Sequence, residues 1–262
     1  MEIALEYRET FTVIGKLGEG VADAAPDWIR PLWKEAAQKA DEVSILVDKG
    51  ADGSLTGVWG LMGNSREHLG KWTDRGLYLA GFTALHPDPS PREGWTVWSV
   101  PAQTYLTATC SMEEYGSVFS HITREYLPAH GLKMTGACHE RYPKPQDPSH
   151  LVLYFPIATS YPAFGGRLLC QSCGMPLSSL EELGKNADGS ASFDFCRYCW
   201  DNGQFTGSPS LEEMVEFCIP LELKAGVYPN ADTARQEMLR YFPLLKRWKE
   251  CLDSKDAQMT GL

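Results

Sequence analysis

The sequence predicts an α+β fold, a duplicated strand-helix-strand-strand domain with a central cleft, followed by a smaller cysteine-bearing domain. Three observations predict it. Strand-type and helix-type periodicities occur in the same order twice before Ala158. The turn-rich stretch HPDPSPREG, from His86 to Gly94, separates the two. After Tyr161-Pro162 the composition changes abruptly to CQSCGMPL. The chain has 262 residues, 43% hydrophobic and 22% charged, enough for one large or two modest domains with buried cores.

In the first repeat a strand is predicted from Glu6 to Lys16. A helix follows from near Pro26, where a fixed φ suits the first turn. Trp28, Ile29, Leu32, Trp33, Ala36, Ala37 and Ala40 recur at helical spacing and give it one apolar face. Strands at SLTGVWGLM from Ser54 and GLYLAGFTAL from Gly76 complete the unit. In the second repeat a strand is predicted over Thr96 to Cys110. Ser111 and Glu114 form a capping-box pattern, and Tyr115, Val118, Phe119, Ile122 and Tyr126 follow the helical period. Leu127-Pro128 and Gly131 supply the stop, and strands at KMTGACHERY and HLVLYFPIA close the unit. Two such units bury their apolar faces against one another and leave a cleft at their junction. The domain boundaries read as 1–160, 165–253 and a flexible tail, 254–262.

Beyond residue 165, Cys170-x2-Cys173 and Cys196-x2-Cys199 are separated by 22 residues. Each CxxC turn aims two sulfurs at one point, and this spacing lets a short hairpin bring two such knuckles together. Gly174 and Gly203 fall just past the knuckles, where a left-handed residue is wanted. Four thiolates suit one Zn²⁺, with Cys170, Cys173, Cys196 and Cys199 as ligands. Because no position is left open for water, the ion is read as structural. A redox CxxC pair, chance cysteines and an iron site are the competing readings. Farther on, Ser210 and Glu213 repeat the capping-box pattern, and Asp232 is read as the cap of a last helix.

A net charge of −10 and a pI near 5.1 set the average surface against phosphate. The best basic group, Lys246, Arg247 and Lys249, reads as a solvated helix face. Between Gly165 and Phe205 three basic residues face five acidic ones, so the ribbon favours scaffolding or a protein partner over nucleic acid. No signal-type start and no run of some twenty apolar residues occurs, which predicts a cytoplasmic protein without a membrane partner. The histidines, His68 included, form no HxxxH or HExxH arrangement, and there is no GxSxG, GxGxxG or P-loop.

Aromatic residues concentrate where the repeats should meet, and a cleft lined by them suits a flat, apolar or cationic small molecule. By alternation Trp59 shares a strand face with Leu55 and Leu61, and Glu140 shares one with Cys138 and Tyr142. Such a carboxylate suits three roles: sensing a cation, acting as a general acid or base, or pairing with a neighbouring arginine.

The pieces IRPLWKEA, VWGL, YLAGF, VPAQTY, REYLPAHG, HERY and YFPI occur in an order that resembles the GyrI-like small-molecule-binding family. That family is also found as the effector domain of AraC-type and multidrug-sensing regulators. The resemblance covers Glu6 to Ala158 and implies a duplicated fold with a central aromatic pocket. Its acidic residue maps to Glu140 and its lining to Trp33, Trp59, Tyr78 and Tyr126, with Tyr142 beside them. Trp59 stands where a tyrosine is common, and Tyr126 where a tryptophan is common. From Gly165 to Glu250 the chain resembles a zinc-ribbon domain family through CQSCGMPL, DGS, YC, DNGQF, SLEEM and LLKRWK. With no helix-turn-helix ahead of the pocket, the favoured function is a stand-alone sensor or binder of a drug-like apolar or cationic compound, linked to transcriptional regulation or xenobiotic resistance. The alternative is an enzyme, since some GyrI-like proteins hydrolyse reactive cyclopropane-type electrophiles. Glu140 is then the catalytic acid or base.

Overall fold

The computed structural model describes residues 1–64, 69–91, 93–143, 150–158 and 165–249. The predicted tail, 254–262, and His68 lie outside them. The chain divides into two compact units, Met1–Arg167 and Leu168–Leu262. The first contains β1 (Glu2–Arg8), β2 (Phe11–Val21), α1 (Ala25–Gln38), β3 (Val58–Gly63) and β4 (Arg75–Thr83). The same order then recurs as β5 (Thr96–Val100), β6 (Gln103–Cys110), α2 (Tyr115–His121), α3 (Leu127–Ala129), β7 (His139–Tyr142) and β8 (Leu151–Pro156).

All eight strands form one sheet in the order β1-β6-β8-β7-β3-β4-β2-β5. Exchanging the two repeats and reversing the order reproduces it, so the duplication is a pseudo-two-fold between β3 and β7. There Gly60 pairs with Glu140 and Trp59 with Arg141. The α+β class and the duplication are as the sequence predicts, but each repeat holds one strand more.

The strand expected over Glu6 to Lys16 is two strands broken at Glu9-Thr10, and the strand expected over Thr96 to Cys110 breaks at Pro101-Ala102. Proline has no N–H to give to a ladder. The two breaks answer one another, since Ala102 N–H donates to Thr10 Oγ1 at 3.1 Å. Each repeat thus lends its first strand to the other, β1 to β6 and β5 to β2. The expected KMTGACHERY strand shortens to His139–Tyr142, and SLTGVWGLM to Val58–Gly63.

Alternation divides the sheet into two faces. One carries Trp59, Leu61, Leu79, Trp98, Tyr105 and Tyr154 in a buried cluster. The other carries Ile14, Val58 and Phe82 against Ala36 and Trp33 of α1. Phe119 of α2 packs on Phe155, with ring centroids 5.8 Å apart. Helix α1 buries only Ala36 fully, although its sequence has a broad apolar stripe. Ile29 and Trp33 on that stripe line a cavity, Trp33 packing against the core at the same time. The reciprocal Ser111–Glu114 pair forms, with Ser111 N–H on Glu114 Oε2 at 3.0 Å and Glu114 N–H on Ser111 Oγ at 3.2 Å, but it closes the turn before α2, which has Glu114 at its cap position. After α2 the chain continues through a π turn, Ile122–Tyr126, before Gly131 ends it at φ +65°.

In the second unit β9 (Leu183–Lys185) and β10 (Ala191–Cys196) form the hairpin that carries the second knuckle, followed by β11 (Trp200–Asp201) and β12 (Gln204–Phe205). Helix α4 (Leu211–Lys224) opens on the expected capping box of Ser210 and Glu213. Helix α5 (Ala231–Tyr241) is capped by Asn230, whose Oδ1 accepts from Thr233 N–H at 2.9 Å, not by Asp232. Asn230 has the extended backbone a cap requires, while Asp232 sits in the first turn and pairs with Arg235. Among the described residues no helix is long and apolar enough to cross a membrane.

Candidate functional site

Helices α1 and α2 and the central strands β3 and β7 enclose a cavity of about 580 Å³ in the first unit. Pro26, Arg30, Lys71 and Met112 are exposed at its mouth, and Cys138 and Glu140 are buried at its floor. Glu140 is 7% exposed, and hydroxyls hold it in place. Tyr78 donates to Glu140 Oε2 at 2.5 Å and Tyr142 to the same oxygen at 2.9 Å, with Tyr115 a third donor. Behind them Trp33 Nε1 donates to Tyr78 Oη at 3.2 Å, so indole, phenol and carboxylate form one chain.

Burial raises the Glu140 carboxyl above its ordinary range, and the three tyrosine hydrogen bonds oppose that rise. Burial, and next to it the Glu140 charge, push Tyr78, Tyr142 and Tyr115 upward, so all three remain protonated donors. The site is therefore a carboxyl group that burial biases toward its protonated form, in a cavity walled by aromatic side chains. A ligand cation or hydrogen-bond donor can replace the water this group has lost.

Of the residues singled out from sequence, Trp33, Glu140 and Tyr142 line the cavity. Tyr78 stands behind Glu140 as its support. Trp59 and Tyr126 are not brought to it. Trp59 is one residue off the Gly60–Glu140 pair, so alternation sends it to the opposite face, where it packs on Tyr154 at 5.0 Å. Tyr126 stacks on His130 at 4.2 Å beyond α2. Among the described residues no arginine pairs with Glu140, and the neighbouring Arg141 lies over Trp59, 5.8 Å from the ring centroid. His139 shares that far face, and burial lowers its pKa to about 4, so it stays neutral.

Sequence reasoning missed Trp72, Met62 and Met112, and placed Tyr115 and Phe119 only as a helix face. The i, i+4 spacing of Tyr115 and Phe119, matching Ile29 and Trp33 in α1, was the available signal.

Gly60 makes this geometry possible. A β-carbon there would overlap the Tyr78 hydroxyl and lie 2.8 Å from Glu140 Oε2. Gly60→Ala is expected to destabilise the chain by about 1–3 kcal/mol through overpacking, read by chemical denaturation, and to displace Glu140 from its partners.

In the second unit the ligand atoms of Cys170, Cys173, Cys196 and Cys199 lie within 4.8 Å of one another. Cys173 Sγ and Cys196 Sγ are 3.8 Å apart. A tetrahedral ion with bonds of about 2.3 Å sets its sulfurs about 3.8 Å apart, so the spacing fits a metal. Gly174 and Gly203 have φ of +74° and +76°, and Cys196 N–H donates to Cys170 Sγ at 3.3 Å. Hydrogen bonds from the other three thiols pull Cys170 far down, while Cys173 is pushed far up because its hydrogen bond to Cys170 needs its proton. Four thiolates this close repel one another, so full ionisation of the cluster calls for a cation among them.

Arg247, expected on a solvated face, is 7% exposed and donates to Ser172 Oγ at 3.0 Å, between two of the ligands. Trp248 Nε1 donates to Ser172 O at 2.8 Å. Lys246 pairs with Asp194 at 2.7 Å.

Residues 169–249 match a family model described as "Putative zinc ribbon domain". The second unit is similar to a zinc ribbon. No curated protein matches the chain. Among solved structures, SAV2435 bound to tetraphenylphosphonium is similar at 15% identity and a TM-score of 0.45, over 60% of this chain and 94% of its own. An integron cassette protein from the mobile metagenome of Vibrio cholerae reaches 15% and 0.43, over 60% and 95%. The EcmrR C-terminal domain reaches 13% and 0.43, over 60% and 97%.

Proposed function

We propose that this chain binds or senses a small, flat, apolar or cationic molecule in the cavity between α1 and α2, and that its ribbon holds one structural Zn²⁺ on Cys170, Cys173, Cys196 and Cys199. The observation that carries the first half is Glu140, a buried carboxylate with no basic partner among the described residues, held by tyrosine hydroxyls in an aromatic cavity. A buried charge is costly unless paired, and an entering cation pairs it. Trp33 and Tyr142, with ring centroids 5.1 Å apart and steeply inclined, offer edge and face to a planar ligand.

Titration with an aromatic cation followed by tryptophan fluorescence tests this. Glu140→Gln is expected to weaken binding roughly 30-fold or more, about 2–5 kcal/mol for removing one partner of a desolvated charge pair. Trp33→Ala weakens it as well, whereas Trp59→Phe, on the far face of the sheet, leaves it unchanged. Equal affinity of wild type and Glu140→Gln would remove the cavity from consideration.

The Tyr78 and Tyr142 hydroxyls held on one oxygen of the buried Glu140 favour a second reading, in which Glu140 works as the general acid or base of a hydrolase acting on cyclopropane-type electrophiles. Consumption of such electrophiles faster than in buffer, lost in Glu140→Gln, would move the assignment there.

A further inference from the structure

Three of the fifteen described residues lining the cavity are charged, and they are segregated by depth: Glu140 lies at the floor, and Arg30 and Lys71 at the exposed mouth. Between them the walls are apolar and aromatic, with Ile29, Trp33, Trp72 and Phe119. In this acidic chain most arginines near a carboxylate are paired, as Arg8 is with Glu6, Arg75 with Glu19 and Arg235 with Glu216. Neither Arg30 nor Lys71 forms an ion pair with a described residue. Asp27 stands three residues before Arg30 on α1, in register for one, and does not make it.

For a simple cation this arrangement is poor. It must pass two positive charges at the mouth to reach the negative charge at the floor that attracts it. A purely anionic ligand is held at the mouth and repelled at the floor. A molecule with both charges satisfies both ends.

We propose that the cavity takes a zwitterionic amphiphile, with a flat aromatic or apolar body, a cationic end on Glu140 and an anionic group, carboxylate, sulfonate or phosphate, held by Arg30 and Lys71. This rests on the ligand-binding reading of Glu140 above and narrows it to a chemical class. Arg30 supplies a planar fork for two oxygens of the anion, and Lys71 a flexible point charge across the mouth.

The test is equilibrium titration of the full chain with two fluorescent dyes, an N-methyl styrylpyridinium and its counterpart carrying a sulfonate on the far phenyl ring. They share the aromatic body and the pyridinium charge and differ in the sulfonate. The sulfonate is expected to bind about tenfold tighter at low salt, and the advantage to shrink as salt is raised. In the Arg30→Gln/Lys71→Gln double variant, changed only at exposed positions, the two dyes bind alike. In Glu140→Gln both weaken. If the N-methyl dye binds the wild type as tightly as the sulfonate, and Glu140→Gln still weakens it, the zwitterion inference falls while the binding reading stands. If neither dye binds, or Glu140→Gln leaves both unchanged, the two fall together.

Discussion

Chelation, or replacing Cys170 or Cys199 by serine, is expected to unfold the ribbon of the second unit. Its sheets are two short hairpins, and the ribbon itself buries few large apolar side chains, Leu169, Leu177, Leu183, Phe193 and Phe195, while Met238, Phe242, Leu245 and Trp248 belong to the helical part that follows. A structural Zn²⁺ in a small module contributes on the order of 10–16 kcal/mol at neutral pH, more than such a core supplies. The apo cluster also has a specific defect. Four sulfurs this close cannot all ionise without a cation, so the stripped unit must retain protons that the bound state releases. Arg247, bonded to Ser172 between Cys170 and Cys173, would offset part of the negative charge of four thiolates on a divalent ion. Elemental mass spectrometry should find one zinc per chain. Chelation should expose the bonds after Lys185 and Arg197 to trypsin and release protons on zinc return. A chelated or Cys199→Ser chain that keeps full protease resistance would sink the structural role.

The cysteine cluster was legible from sequence because a CxxC turn is local: spacing alone fixes where its sulfurs point, and Gly174 and Gly203 mark the turns. Strand and helix identity was legible for the same reason, since periods of 2 and 3.6 are read within a dozen residues. Strand exchange was not. That β1 pairs with β6 and β5 with β2 depends on breaks of two residues at Glu9-Thr10 and Pro101-Ala102, which reassign partners far along the chain. The cavity lining failed the same way in one residue. Trp59 and Glu140 each lie on a correctly placed strand, but which side chains share a face across β3 and β7 is set by register, and Gly60, not Trp59, is opposite Glu140. Arg247 was misread because burial of an arginine next to a thiolate cluster leaves no periodic trace in sequence.

Ionisation of Glu140 should make stability and affinity move in opposite directions with pH. Its folded pKa is raised above the ordinary 4.5, with burial the largest cause and the Tyr78, Tyr142 and Tyr115 hydrogen bonds working against it. The folded chain therefore binds this proton more tightly than the unfolded chain does. The group's contribution to stability is fully present below pH 4.5 and is lost as pH rises through the folded value. The loss is about 1.4 kcal/mol for each unit by which the pKa is raised. Glu140→Gln cannot ionise, so its stability should lack this fall and equal or exceed that of the wild type at neutral pH. Binding runs the other way. A cation prefers the carboxylate to the acid, so affinity in the wild type should climb with pH across the same window and stay flat in Glu140→Gln. Denaturation curves and dye titrations at a series of pH values check both halves. Wild-type and Glu140→Gln stability profiles of the same shape would mean that Glu140 ionises as freely folded as unfolded. The carboxylate would then already have a counter-charge, and the cavity would have no need of a cation to supply one.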